Sequence, residues 1–132
     1  MQQDIISSAV KVEFFFHAIK LDFSVINSRM GIVATETRTK ESFAFKEFAE
    51  DYWILSTGYE VSEDINVQLS KIMEMISKKK QTIKNICKQY DAKCEFLFVI
   101  KDYFDVVPAV YFEKDFLEFV VEIQAEFGID FT

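Results

Sequence analysis

The chain has 132 residues, a net charge of -7 and a pI near 4.7; half of it is hydrophobic, and 15 residues are phenylalanine. This composition excludes a disordered chain, and the acidity opposes phosphate backbones, so no direct nucleic-acid binding is expected. The length suits a single domain, residues 1–132, that buries about two thirds of its unfolded surface without a disulfide or metal staple.

Residues 9–19, AVKVEFFFHAI, alternate as a strand does. Val10, Val12, Phe14, Phe16 and Ala18 share one face; Lys11, Glu13, Phe15 and His17 share the other. The face of Phe14 and Phe16 is assigned to the core. LDFSVINSRMGI reads as a short helix, capped by Asp22 or Ser24 and ended by Gly31, which adopts the left-handed conformation at low cost. Phe23, Ile26 and Met30 lie on its inner side. Residues 32–50 are rich in Thr and read as loop or extended chain, with an edge hairpin as one option. YWILST, residues 52–57, is a short strand broken by Gly58.

VSEDINVQLSKIMEMIS carries the clearest helical spacing, with Ile65, Leu69, Ile72, Met73 and Ile76 in register and a cap at Ser62 or Glu63. Lys78, Lys79 and Lys80 lie near its C-terminus, where cations complement the dipole. A second helix places Ile83, Ile86, Cys87 and Tyr90 on one side. KCEFLFVIK, residues 93–101, is apolar on both faces and is expected to be central in the sheet. DYFD, residues 102–105, reads as a turn or bulge. VVPAVYF, residues 106–112, reads as another strand; Pro108 cannot donate a ladder bond, so it belongs at an edge or a strand start. Residues 113–127 read as a helix with Phe116, Val120, Ile123 and Phe127 buried, ended by Gly128, with a last short strand at 129–131. The order predicts an α+β fold: a mainly antiparallel sheet with helices packed on one face, a two-layer sandwich related to ferredoxin-like arrangements.

Several chemistries find few residues to work with. The chain has one histidine, His17, so a Ser-His-acid or Cys-His arrangement has to run through it. Mid-strand, His17 reads instead as an exposed or hydrogen-bonded surface residue. A structural zinc site usually takes four Cys or His ligands, and only Cys87, Cys94 and His17 are present; neither metal nor cofactor is expected. The two cysteines read as reduced core fillers in a cytoplasmic protein. Gly31, Gly58 and Gly128 are isolated, so there is no phosphate-cradling loop. The N-terminus lacks a basic signal-peptide region, and no apolar run reaches 18 residues, so no membrane association is expected.

In order, INSRMGI at 26–32, ATETRTK at 34–40, the Trp-x-Leu-Ser step at Trp53, Leu55 and Ser56, and the ending VYFEKDFLEFVVEIQAEFGIDFT resemble the bacterial family of domain of unknown function 4279. The resemblance covers about residues 10–132. The family's Lys-Gly step is missing from TKES. The resemblance implies a small α+β cytoplasmic domain without an established enzymatic activity. Families of this kind are often single-domain immunity or regulatory proteins.

The leading expectation is a non-enzymatic protein-binding domain that masks a basic partner, such as a toxin, by charge complementarity. Lys71, Lys78, Lys79, Lys80, Lys84, Lys88 and Lys93 form a basic stretch, whereas residues 101–132 hold eight acids against Lys101 and Lys114. Asp102, Tyr103, Asp105 and Glu113 are the candidate contact residues. The alternative is a small-molecule or regulatory domain holding a ligand near Trp53, Ser56 and Tyr111. Trp53 is weighed mainly as packing, its indole N–H meeting a partner, with Ser56 and Thr57 where the strand leaves the sheet. The protein is expected to be a monomer, or a homodimer paired through the strand at 106–112.

Overall fold

A computed structural model describes residues 8–42, 49–101 and 107–132. In chain order the elements are β1 (Ala9–Ala18), α1 (Phe23–Met30), β2 (Glu36–Arg38), a short 3-10 turn (Lys40–Ser42), β3 (Asp51–Ser56), β4 (Glu60–Val61), α2 (Ile65–Ile76), α3 (Lys80–Tyr90), β5 (Lys93–Lys101), α4 (Lys114–Ile123) and β6 (Glu126–Phe131). The sheet order is β2-β3-β1-β5-β6, with β4 beside one end of β1. All pairings are antiparallel except β5–β6, which the α4 crossover makes parallel. The fold is α+β, as expected.

Register explains which face is covered. Phe14 sits between Leu55 and Phe96, and Phe16 between Trp53 and Cys94. Those side chains are buried, and the helices lie over them. α2 lies against β1, and Phe116 of α4 stands edge-on to Phe96 at 5.0 Å. Asn27 carries α1 onto Trp53, and α3 contacts both α1 and α4. The buried rows of α2 (Ile65, Leu69, Ile72, Ile76) and α4 (Phe116, Phe119, Val120, Ile123) follow the i, i+3, i+4 spacing of an amphipathic helix. The opposite sheet face carries Phe15, Tyr52, Glu95 and Leu97, half-buried, with Ile54 and Val99 buried among them.

Helix ends obey simple capping rules. Asp22 caps α1 by accepting from Val25 N–H, and Gly31 ends it at φ 66°. At α2 the cap is Asp64, not the expected Ser62 or Glu63 just before it; its carboxylate accepts from Asn66 N–H. Ser62 supports that cap, its hydroxyl donating to the Asp64 carbonyl.

Two expected elements are corrected. Described residues 107–112 form no strand; the stretch makes one isolated parallel bridge, Ala109 with Asp64. Ala109 N–H donates to the Glu63 carbonyl, and its own carbonyl accepts from Ile65 N–H. Pro108 has no N–H to give a ladder, so this stretch serves the open start of α2. The last helix stops at Ile123, not at 127. Gln124 turns left-handed at φ 57°, and Phe127, Ile129 and Phe131 then alternate along β6. Gly128 therefore lies inside a strand opposite Leu97. The ambiguous 32–50 stretch does supply an edge pairing, β2 on β3.

Candidate functional site

The Trp53 step is structural. Trp53 is fully buried, packs on Phe16 at 5.5 Å, and donates its indole N–H to Asn27 Oδ1 at 2.7 Å. The same oxygen accepts from Ala34 N–H at 3.1 Å. One amide therefore ties α1, β3 and the following loop together. Ser56 and Thr57 finish the strand: Ser56 Oγ accepts from Gly58 N–H, while Thr57 Oγ1 accepts from Val12 N–H and donates to the Gly58 carbonyl. Sequence reasoning placed these hydroxyls correctly at the strand exit. It missed Asn27, whose acceptor role has no local signature. It also missed Asp51, buried at the start of β3, whose two oxygens accept from Leu21 and Lys40 N–H groups.

His17 lies between two glutamates. Its Nδ1 is 3.0 Å from Glu50 Oε1, its Nε2 approaches Glu95 Oε2, and its ring stacks on Tyr52 at 5.5 Å. The Nε2 contact lacks hydrogen-bond alignment. Of the two readings the sequence left open, exposed or hydrogen-bonded, the structure shows the hydrogen-bonded one, with the side chain mostly buried. Among the described residues no group of three or more His, Cys, Asp or Glu is placed to hold a metal ion.

Cys87 and Cys94 meet at the junction of α3 and β5. The Cys94 thiol is pushed up by its hydrogen bond with Cys87 and then by burial, whereas Cys87 is lowered by the same bond. Cys94 also donates toward the Ile123 carbonyl.

Asp102, Tyr103 and Asp105 lie outside the described residues. Tyr111 is described and half-exposed. Its hydroxyl lies 3.4 Å from Asp64 Oδ2, and the negative charge of Asp64 raises its pKa. Its carbonyl accepts from Asn66 Nδ2. Tyr111 and Trp53 are not brought to a common cavity.

Among the described residues a groove of about 450 Å³ lies between α2 and α4. Leu69, Met73, Phe116 and Phe119 form its floor. Its rim is acidic: Glu113, Asp115, Glu118 and Glu122 all come from the start and outer turns of α4, against Lys80 from α3. Lys80 Nζ is 2.8 Å from Glu122 Oε2 and Lys114 Nζ 3.7 Å from Glu118 Oε1, so four carboxylates against these two lysines leave the rim negative. Of the expected contact residues, Glu113 alone is among the described residues, and it lies here. The other rim carboxylates follow from i, i+3, i+4 spacing on α4, but only once α2 is known to lie beside it.

No described helix is long and apolar enough to cross a membrane. The family model for Domain of unknown function (DUF4279) matches residues 8–132. No curated protein matches the chain, and no solved structure matches it.

Proposed function

We propose that this chain, which belongs to the DUF4279 family, is a non-enzymatic binding domain whose groove between α2 and α4 receives a basic segment of a protein partner. The observation that carries the reading is the groove itself. An apolar floor beneath an excess of carboxylates suits an amphipathic segment with Lys or Arg along its flanks. The net charge of -7 adds long-range attraction for such a partner. The sharper form is an immunity protein of the cytoplasm that neutralises a basic toxin by masking its surface.

The test is a paired capture from cells of the source organism, with wild type and with Glu113→Lys, Glu118→Lys and Glu122→Lys combined. The expected result is a basic protein retained stoichiometrically by wild type and lost from the variant. Adding wild type to that purified partner should silence its activity if it is a toxin. Capture of the same proteins by both forms contradicts the groove as the site.

A further inference from the structure

The two outer strands of the sheet are unlike. β2 is three exposed residues, two of them the charged Glu36 and Arg38, a blunted edge of the kind that resists pairing. β6 is six residues long and carries neither Pro nor Lys. Phe127, Ile129 and Phe131 are 37%, 37% and 50% exposed on it. Among the described residues no strand pairs with its outer side.

The backbone orientation follows from one bond. Thr132 N–H donates to the Ile100 carbonyl of β5 at 2.9 Å. Strand alternation then turns the Phe127 and Ile129 N–H and carbonyl groups away from β5, to the open side. α4 adds exposed apolar surface. Lys80 of α3 pairs with Glu122 and sits 5.8 Å from the Phe119 ring, which marks the α3 side of α4. Leu117 and Val121, one turn apart on α4, are 41% and 74% exposed and share an outward surface with Lys114, Glu118 and Glu122. Phe116, on the buried row of the same helix, meets Phe127 at 5.7 Å, so α4 lies beside β6.

We propose that a second copy of this chain occupies this edge, with β6 pairing antiparallel to β6 of the copy about a two-fold axis at Ile129. The strand is self-complementary in that register. Ile129 faces Ile129 of the copy and exchanges two backbone hydrogen bonds with it. Phe127 faces Phe131 of the copy on the helix side of the sheet. On the other side Asp130 meets Gly128 of the copy, so no like charges are opposed. Centring the pair on Gly128 instead sets Glu126 against Asp130, a like-charge pair that is destabilising. The Leu117 and Val121 flank of α4 meets its own copy above the pairing and widens the apolar contact. This interface does not depend on the basic-partner reading.

The test is sedimentation equilibrium on the full chain from about 1 to about 100 µM. Wild type is expected to reach twice the 15.5 kDa chain mass. Because each subunit carries a charge of -7, its dissociation constant should fall as salt is raised. Ile129→Pro removes an outward N–H that no described strand of the subunit uses, and should give a monomer. Val121→Lys places a charge in the helix flank and should weaken association at least tenfold. Val121 is an exposed helix position, so this variant carries the test if Ile129→Pro does not fold. Wild type that stays monomeric at the highest concentration overturns the proposal. So does a dimer that survives both substitutions.

Discussion

Asn27 shows how one side chain decides a local arrangement. Its oxygen serves the enclosed Trp53 N–H and the Ala34 N–H together. Asn27→Ala leaves a buried donor unmet and should cost about 1–3 kcal/mol in urea unfolding. Asn27→Asp keeps the acceptor and should retain most of the stability. Equal losses in the two variants would contradict this role. Among the thiols, Cys87 is half-buried and lowered, whereas Cys94 is buried and raised. Thiolate is the reactive form, so a disulfide reagent should label Cys87 first, as peptide mapping would show. Trp53 itself was legible in the sequence as packing because a large aromatic in a short alternating strand faces the core. Asn27 was not, since its partner lies 26 positions away.

At the scale of elements, periodicity was readable where one face is strongly apolar. β1, α2 and β5 follow their spacing nearly residue for residue. The errors fell where two periods overlap. Phe116, Val120, Ile123 and Phe127 all fit a helical row, but Phe127, Ile129 and Phe131 also fit a strand, and β5 offers the strand a ladder. The break between them is Gln124, held left-handed at φ 57° without a glycine. Gln124→Gly should therefore stabilise the protein by about 0.5–1 kcal/mol, read as a raised thermal midpoint. Asp64→Ala should act oppositely. It removes the α2 cap and should cost about 1 kcal/mol. It should also lower the Tyr111 pKa toward the ordinary phenol value, because the raising charge is gone. An unshifted Tyr111 titration would contradict that assignment. In wild type the raised pKa makes folding stability fall as pH rises through the tyrosine range, since the folded chain resists losing that proton.

For the whole molecule, composition already pointed to a dense aromatic core and an acidic surface, and the helix-on-sheet layering places both. The location of the acidic concavity was not readable, because it arises where α4 runs beside α2, elements about 40 residues apart in the chain. Only Glu113 of its rim was singled out from sequence, and it was grouped with residues near 102–105 by proximity along the chain. The central claim is that this groove takes a basic partner. Calorimetric titration of the captured basic protein into wild type and into the Glu113→Lys, Glu118→Lys, Glu122→Lys variant, at low and at physiological salt, tests it most directly. The account predicts binding by wild type that weakens as salt is raised, and a loss of at least tenfold, about 1.4 kcal/mol, in the variant. Equal affinity of the two proteins would contradict it.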